Sequence, residues 1–412
     1  MIHEFKTSKT NSLTMKILII YSNIPMPDRA SGELRLYTLL KLMAEKHQVT
    51  LCPFKLERQN KEMGVVTTKS YIEQLKAINV HLGATDVLTT LGNEQFDLVI
   101  FEFYHYFSRY IDFVRFHQPQ ARVLIDSVDI HYNRFFSKAI LTGKLSDFEY
   151  AETIKQLELA AYQQADLIIA VTEDDGYLLK KDAPHSQIGL LPNIHRIPEF
   201  IGSHPPYTKL IFVGTFNHEP NIDAVLYFCN EIFPLLLKMN SNFTLEVIGP
   251  NPPESVKALQ SDKIIIRGFV ENLEEYYRTA HISVAPLRFG AGMKGKIGEA
   301  LSFGLPVVTT KIGAEGFGLS PSENILVAET PLDFAESILQ LSQDNQLYKK
   351  LSTNGYNFIK NNYSEEATRA RLSKLINQAL LISPKKLAAL TRVKLWLQFT
   401  YNRYIGWRFR HV

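Results

Sequence analysis

Four glycines and two lysines lie within nine residues, from Gly290 to Gly298. Glycine permits positive φ values and lets backbone N–H groups approach a ligand closely. The sequence predicts a short helix directly after this loop, closed by Gly304, and the unpaired N–H groups of a helix N-terminus attract anions. Lys294 and Lys296 can add charge-assisted hydrogen bonds to phosphate oxygens. The loop therefore predicts a phosphate or diphosphate site.

An ordinary glycine-rich turn between a strand and a helix is the alternative interpretation, because such loops are short and favour glycine. The segment lacks the Gly-x-x-x-x-Gly-Lys-Ser/Thr pattern of a P-loop. It also does not form the complete dinucleotide-binding unit built around Gly-x-Gly-x-x-Gly. The glycines alone are therefore a weak signal.

A second polar cluster follows the apolar run ARVLIDS, where Asp126, Asp129, His131 and Arg134 lie within nine residues. A carboxylate or imidazole within hydrogen-bond reach of a hydroxyl can take up its proton, so Asp126, Asp129 and His131 are rival candidates for a catalytic base. In the alternative interpretation, Asp129 caps a helix and His131 packs in the core. A metal site built from these side chains is the least favoured interpretation, and no metal is expected.

Two further acidic segments have structural explanations. Glu173, Asp174 and Asp175 follow the apolar run DLIIAVT, and carboxylates in a first helical turn complement the helix dipole, so they predict a helix start rather than a metal-bound diphosphate. Glu102 lies among aromatic residues in FEFYHYF, where it can shape an acceptor pocket. Aromatic residues at a strand end more often belong to the core.

The elements around these loops determine whether they meet. Short apolar runs alternate with amphipathic stretches along the chain, which is the pattern of βαβ units. The runs predicted as buried parallel strands are KILIIYS, FDLVIFEF, ARVLIDS, DLIIAVT, KLIFVGT, FTLEVIG, KIIIRGF, HISVAPL and LPVVTT. The predicted fold class is α/β, with two doubly wound, Rossmann-like domains.

The two predicted domains meet in a proline-rich segment. Residues 192–208 contain four prolines and no helical or strand period. The predicted boundaries are 15–200 for the first domain, 207–380 for the second domain and 383–412 for a C-terminal tail. In open parallel sheets, ligands bind outside the carboxyl ends of the strands. The loops expected to line one cleft are 22–32, 126–134, 214–221 and 288–299.

The composition is that of an ordinary globular protein. The 412 residues are 45% apolar and 21% charged, which excludes a disordered or fibrous class. Cys52 and Cys229 are the only cysteines, so neither a disulfide framework nor a cysteine metal site is indicated, and a reducing cytoplasm fits. No signal peptide is expected in the polar segment 1–14, and no apolar run reaches the roughly 18 residues of a membrane-spanning helix.

Positive charge is concentrated in the C-terminal tail. Residues 383–412 hold seven Lys or Arg side chains, both tryptophans and no acid, so by difference from the net charge of +3 the rest of the chain carries −4. Basic and aromatic residues without acids suit an anionic membrane surface, and the alternative is a basic helix packed across the two domains. Nucleic acid is not expected, because no recognition motif accompanies the charge.

Several segments together resemble a known family. The stretch PLRFGAGMKGKIGEALSFGLPVVTTKIGAEGFG resembles the donor-binding segment of GT-B glycosyltransferases of family four, the group-one glycosyl transferases, and specifically a subfamily with an RFGAGxKGKxxEA loop. The segments PMPDRASGELRLYTLLKLMAEKHQVTL, LIDSVDIHYNR, DLIIAVTEDDGYLL, LLPN and FVGTFNHEPNIDAVLYF agree in order and spacing. The resemblance covers roughly residues 16–377 and implies the GT-B architecture, with an acceptor domain followed by a donor domain.

The resemblance implies transfer of a sugar from a nucleotide-diphosphate donor to an acceptor hydroxyl, with retention and without a metal or other cofactor. It assigns the ribose hydroxyls to Glu299 and the diphosphate to Lys294 and Lys296. The other donor-binding positions that it implies are Gly32, Gly214, Gly290, Ala291 and Gly292. The expected partners are a nucleotide sugar and a saccharide or lipid-linked acceptor, in surface polysaccharide or glycolipid assembly at the cytoplasmic side of the membrane.

The sequence departs from this family at three places. Ala291 stands where many members have a first glutamate, eight residues before Glu299, and Val128 stands where many have a histidine. The segment 214–221 lacks the usual Arg and Lys. Glu315 is a hypothetical substitute that faces the donor sugar, and the loop lysines can replace the missing charge. The alternatives are an epimerase or phosphorylase on the same fold, or an inactive nucleotide-binding protein.

Overall fold

The computed structural model describes residues 14–200, 202 and 206–404. The first domain is built on a seven-stranded sheet with the order β3-β2-β1-β4-β5-β6-β7, in which neighbouring strands are parallel. Its strands are β1 (Lys16–Tyr21), β2 (Gln48–Pro53), β3 (Val80–Leu82), β4 (Leu98–Glu102), β5 (Arg122–Asp126), β6 (Leu167–Ala170) and β7 (Ile188–Leu190).

Helices cover both faces of this sheet. They are α1 (Ser31–Ala44), α2 (Leu56–Met63), α3 (Val65–Ala77), α4 (Val87–Asn93), α5 (Tyr104–His117), α6 (His131–Thr142), α7 (Leu145–Tyr162) and α8 (Glu173–Asp182). The start of α8 confirms the prediction from its acidic first turn, and the Thr172 hydroxyl accepts a hydrogen bond from the Asp175 amide at 2.9 Å.

The second domain is built on a six-stranded parallel sheet with the order β10-β9-β8-β11-β12-β13. Its strands are β8 (Lys209–Val213), β9 (Thr244–Ile248), β10 (Ile264–Gly268), β11 (Ile282–Ala285), β12 (Val307–Thr309) and β13 (Leu326–Val327). The helices are α9 (Glu219–Tyr227), a π-helical turn (Phe228–Ile232), α10 (Phe233–Met239), α11 (Glu254–Lys257), α12 (Leu273–Thr279), α13 (Gly295–Ser302), α14 (Lys311–Ala314), α15 (Pro331–Gln343) and α16 (Asn345–Tyr363).

The strands that position the two polar loops are mostly apolar and are buried on both faces. β5 and β11 have almost no exposed surface, as expected for central parallel strands with helices on either side. Each ends in a turn at the same edge of its sheet as its neighbours, because all strands of a parallel sheet run the same way. The predicted fold class, two doubly wound α/β domains, is confirmed.

Two C-terminal helices return from the second domain to the first. In α17 (Glu365–Leu381), Leu372, Leu375, Ile376 and Ala379 belong to the same buried cluster as β1 and β4 of the first domain. The range 207–380 assigned to the second domain by sequence therefore includes a helix whose buried face completes the first domain. The last helix, α18 (Ala389–Tyr404), packs on α5. Residues 405–412 of the predicted tail lie outside the described residues.

Candidate active site between the two sheets

The loops at the carboxyl ends of both sheets meet in one cleft. A β-carbon built on Gly292, which has φ 63°, would lie 3.1 Å from the Asp129 Cβ of the first domain. The Gly290 amide donates a hydrogen bond to the Ser137 hydroxyl on α6 at 3.3 Å. Glycine at these positions therefore lets the loop of the second domain pack directly against the first domain.

Gly295, the first residue of α13, makes a third contact of this kind. A β-carbon built on Gly295 would lie 2.5 Å from the Ser31 Cβ, at the first residue of α1. Gly32 follows Ser31, and a β-carbon there would meet only the Val128 Cγ1, at 4.0 Å. The N-termini of α1 and α13 thus lie side by side, and their unpaired N–H groups create a region that favours an anion.

Lys294 occupies the N-cap position of α13 and is buried. Its Nζ lies 3.4 Å from a Glu315 carboxylate oxygen, and the Asp175 and Asp129 carboxylates of the first domain add to its electrostatic stabilisation. Burial nevertheless lowers the pKa of Lys294. Glu315 is therefore the partner of Lys294.

Lys296 lies two residues further along, as the second residue of α13. Its Nζ donates a hydrogen bond to the Asn221 side-chain oxygen and lies 4.5 Å from the centre of the Phe212 ring. Burial, followed by repulsion from Lys294, lowers the pKa of Lys296 to about 7. Two neighbouring ammonium groups with lowered pKa values, of which Lys294 contacts a carboxylate and Lys296 a neutral amide, are suited to an anionic ligand that restores their charge.

Gly214 makes room for this lysine. It follows β8, and a β-carbon built on it would lie 2.8 Å from the Asn221 Cγ and 3.0 Å from the Lys296 Nζ. Glycine at position 214 therefore leaves room for the Lys296 ammonium group and the Asn221 side-chain amide, which meet there. The segment 214–221 thus receives its positive charge from Lys296 in the first turn of α13.

Glu299 lies on the face of α13 that also carries Lys296, because the two residues are three positions apart. The Tyr277 hydroxyl donates a hydrogen bond to a Glu299 carboxylate oxygen at 3.3 Å. Burial raises the pKa of Glu299 to about 7, and Tyr277 and Arg196 only partly oppose this shift. Ala291 is half-buried in the loop that precedes α13.

Asp129 and His131 form a polar pair at the carboxyl end of β5. The His131 Nδ1 lies 3.3 Å from one Asp129 oxygen, and the Arg134 guanidinium donates to the other at 2.8 Å. The N-cap of α6 is Ile130, so Asp129 is not the helix cap of the alternative interpretation. His131 is largely buried, whereas the Asp129 side chain keeps 18% of its surface exposed, so the carboxylate is the more accessible of the two groups.

Glu158 holds this pair in place and was not found from the sequence. Its buried carboxylate accepts hydrogen bonds from the amides of His131 and Tyr132, at 3.2 and 3.0 Å, and from the Tyr162 hydroxyl at 2.6 Å. It therefore satisfies free N–H groups at the N-terminus of α6, as a capping side chain would. It also lies 3.7 Å from the His131 Nδ1, so two carboxylates face this imidazole.

Asp126 is placed differently from the other candidate bases. Its carboxylate accepts a hydrogen bond from the Arg35 guanidinium at 2.6 Å, and both side chains are at most 1% exposed. Arg35 also donates to the carbonyls of Leu191 and Pro192, at 2.8 and 3.3 Å. Asp126 is thus half of a buried ion pair that ties β5 to α1 and to the segment between the domains. It is not positioned to accept a proton from a bound hydroxyl.

Two strained residues flank the polar pair. Val128 has φ 59° and Phe103 has φ 67°, and such values are costly for a β-branched or bulky side chain. They follow the neighbouring strands β5 and β4.

The ring of His105 lies 4.6 Å from that of His131, and burial lowers the pKa of His105 to about 4. Glu102 itself is buried beside Asp126, where burial raises its pKa well above the usual range, and it does not line the cleft.

Within the described part of the chain, no three His, Cys, Asp or Glu side chains are grouped so that they could hold a metal ion. Across the same residues, no helix has the length and apolar character needed to cross a membrane.

Residues 207–344 match the model of the family described as glycosyl transferases group 1. An uncharacterized 44.6 kDa protein in the cps region of Klebsiella pneumoniae is 27% identical over 167 residues, which span 38% of this chain and 43% of that protein. The chain thus aligns with less than half of this curated relative.

Solved structures with a similar fold cover most of the chain. Anabaena HepE in complex with UDP and glucose has a TM-score of 0.64 at 13% identity, covering 88% of this chain and 100% of HepE. Sucrose-phosphate synthase from Thermosynechococcus elongatus has a TM-score of 0.64 at 15% identity, covering 88% and 98%. A variant of S. aureus TarM in complex with UDP has a TM-score of 0.56 at 15% identity, covering 68% of this chain and 55% of TarM. The chain therefore has the GT-B fold, and its second domain matches the group 1 glycosyl transferases.

Proposed function

We propose that this protein is a retaining glycosyltransferase that moves a sugar from a nucleotide diphosphate to an acceptor hydroxyl. The observation that carries the proposal is the joint position of Lys294, Lys296 and Glu299 on one helix N-terminus that opens into the interdomain cleft. The match of residues 207–344 to the group 1 glycosyl transferases supports it. We also propose membership of the subfamily with the RFGAGxKGKxxEA loop.

On the donor side, the diphosphate lies against the α13 N-terminus and the loop from Gly290 to Gly292. Lys294 and Lys296 supply the positive charge, and no divalent cation is then needed to neutralise the diphosphate. Glu299 accepts hydrogen bonds from the ribose hydroxyls, and binding favours its ionised form. In this proposal Glu315, whose carboxylate lies 3.4 Å from the Lys294 Nζ, contacts the donor sugar.

On the acceptor side, the hydroxyl attacks the sugar from the same face that the diphosphate leaves, which retains the configuration, and Asp129 takes up the hydroxyl proton as the new C–O bond forms and the bond to the diphosphate breaks. His131 and Arg134 orient the carboxylate through its two oxygens. The negative charge that develops on the leaving diphosphate is stabilised by Lys294, Lys296 and the helix N-termini. Because Asp126 is paired with Arg35, it has no part in this step.

The proposed acceptor is a saccharide or a lipid-linked saccharide, and the proposed setting is surface polysaccharide or glycolipid assembly on the cytoplasmic face of the membrane. The relative in the Klebsiella pneumoniae cps region supports this setting. The HepE and TarM structures contain UDP, and their names give glucose, fondaparinux and a GlcNAc-glycerol as other bound molecules. A uridine nucleotide is therefore the first donor to test.

Two other functions remain distinguishable from this one. An epimerase or phosphorylase on the same fold would convert its nucleotide sugar without an acceptor hydroxyl. An inactive nucleotide-binding protein is favoured by Ala291 and Val128, which replace two family residues. It would bind nucleotide and show neither transfer nor slow donor hydrolysis.

Calorimetric titration with UDP, GDP, dTDP and ADP, without added metal, tests the donor site. We expect one nucleotide to bind selectively and Glu299→Ala to weaken it about tenfold, equivalent to about 1.4 kcal/mol. The control is Glu336→Ala, which removes an exposed carboxylate from α15 and should leave the affinity unchanged. If no nucleotide binds, or if both variants behave alike, the loop is only a turn and the assignment is withdrawn.

A further inference from the structure

The helix α18 is held on the first domain by one face. Leu395 is buried, and the ring of Phe399 stacks on that of Phe116 with 5.4 Å between their centres. Phe399 also meets the His117 ring edge-on at 4.9 Å. Phe116 and His117 are at the C-terminal end of α5, so aromatic contacts fix which side of α18 faces the domain and which side faces outward.

The outward face of α18 is apolar. Leu390, Val393, Leu397 and Tyr401 recur at steps of three or four residues and form one stripe along the helix. Leu390 is 87% exposed, and the other three are more than half exposed. A surface helix normally turns such a stripe toward the core, so an apolar stripe that faces outward indicates a partner.

Every charged side chain in the chain segment that carries this stripe is positive. Lys386, Arg392 and Lys394 are exposed, and the sequence contains no acid from Ser383 to its end. None of the ion pairs formed among the described residues involves these three side chains, whereas Lys41 and Arg58 elsewhere on the first domain each pair with a glutamate. The surface around the stripe is therefore complementary to a surface of negative charge.

We propose that α18 is an interfacial helix that docks the first domain on an anionic lipid bilayer. Leu390, Val393 and Leu397 enter the boundary between headgroups and acyl chains, while Lys394 and Arg392 stay at the level of the lipid phosphates. A second copy of this chain fits the surface less well, because its own cations would face those of the first copy.

The half-exposed Trp396 lies on the flank of the stripe, beside Arg392 on the helix surface. Tryptophan favours the membrane–water interface, because its ring is apolar and its N–H finds polar partners there. Trp396 lies between the apolar stripe and the face packed on α5. When the stripe enters the bilayer, this side chain is therefore at the depth of the lipid headgroups.

This docking leaves the proposed active site accessible. The ring contacts of α18 are with Phe113, Phe116 and His117, whereas the cleft is reached at the N-terminal end of α5, where His105 lies near His131. The eleven helical steps from His105 to Phe116 span about 17 Å. The docking of α18 is independent of the proposed function. Its purpose, to hold the enzyme near a lipid-linked acceptor, rests on that function.

Co-sedimentation of the full chain with lipid vesicles tests the inference. We expect binding to vesicles of phosphatidylcholine mixed with phosphatidylglycerol, much weaker binding to phosphatidylcholine alone, and loss of binding as salt is raised. Leu397→Gln should lower the partition coefficient about tenfold, and Lys394→Gln about fivefold.

The matched controls are in the second domain. Leu332 on α15 is 48% exposed and Lys349 on α16 is exposed, so Leu332→Gln and Lys349→Gln change the same side-chain types away from α18. Equal losses in the controls, no binding by the unchanged protein, or equal binding to both vesicles would overturn the inference. So would a concentration-dependent dimer in analytical ultracentrifugation that Leu397→Gln abolishes. Nucleotide titration of the same variants is independent of α18, so failure of the proposed donor site would be seen separately.

Discussion

At the scale of single residues, Lys296 lies where burial disfavours its charged form. The pKa of Lys296 is lowered to about 7, so near neutral pH part of the population is uncharged. A bound diphosphate favours the ammonium form and raises this pKa. We therefore expect nucleotide binding above about pH 7 to take up protons and to weaken as the pH rises. Calorimetry in buffers of different ionisation enthalpy measures this uptake.

Two variants distinguish the protons taken up by Lys296 from those exchanged by Glu299, whose pKa is also about 7. Lys296→Met should abolish the uptake and weaken binding, while Lys296→Arg should abolish the uptake and keep most of the affinity, because arginine stays protonated. Glu299 is present in both variants and, because binding favours its ionised form, it contributes the same proton release to each. Uptake in Lys296→Met that equals the uptake of the unchanged protein would contradict the role of Lys296.

The two aspartates after β5 should respond to amide substitution in opposite ways. Asp126→Asn leaves the buried Arg35 without its counter-charge and should lower the free energy of unfolding by about 3 to 5 kcal/mol. Asp129→Asn lies in the half-exposed cleft and should change stability little, but lower the transfer rate about 100-fold or more. Urea unfolding and donor turnover distinguish them. If Asp126→Asn folds normally and loses activity while Asp129→Asn stays active, the assigned base is wrong.

At the scale of elements, the packing of α13 on α1 decides whether the donor loop has its observed shape. A methyl group at Gly295 would overlap the Ser31 side chain, so Gly295→Ala should destabilise the protein by about 1 to 3 kcal/mol and weaken nucleotide binding. Ser31→Gly removes the Cβ with which it collides. The double variant should therefore recover most of both losses, as measured by thermal unfolding and calorimetry.

A double-variant cycle makes this test specific. If Gly295→Ala acts only through helix formation, Ser31→Gly will add its own cost and restore nothing. Recovery in the double variant shows that the two residues act through one contact. Gly92→Ala is the matched control, because nothing lies within 4 Å of a β-carbon at that position, so its effect should be the same with either residue at position 31.

Elements with a long apolar run were predictable, and short or paired features were not. The runs around β1, β4, β5 and β6, and those around β8 to β12, each have the length and composition of buried strands. By contrast, β3, β7 and β13 have two or three residues, too few for a periodic pattern. The six-residue β2 was also not predicted, because QVTLCP mixes polar with apolar residues and ends in proline. Glu158 and Arg35 lie 27 and 91 residues from the groups that they hold, and no local pattern predicts such pairs.

At the scale of the whole molecule, the two domains are joined more closely than a linker would suggest. The chain crosses from the first domain to the second near residues 192–208 and returns in α17, which buries Leu375 against the first sheet. The sequence placed this helix in the second domain because it follows that domain without a break. Its apolar stripe has the same period whichever domain it covers, so only the packed structure reveals its partner.

Because α17 returns to the first domain, a cavity made in this helix should destabilise the first domain rather than the second. Leu375 lies so close to β7 that a β-carbon on Gly189 would collide with its side chain, and Leu375→Ala should cost about 2 to 5 kcal/mol. Hydrogen exchange should then accelerate in the amides of β6 and β7 while those of β11 and β12 stay protected. Leu341→Ala, in the buried core of the second domain, is the matched control and should reverse the pattern. If Leu375→Ala instead loosens β11 and β12, α17 belongs to the second domain and the crossing does not stabilise the first.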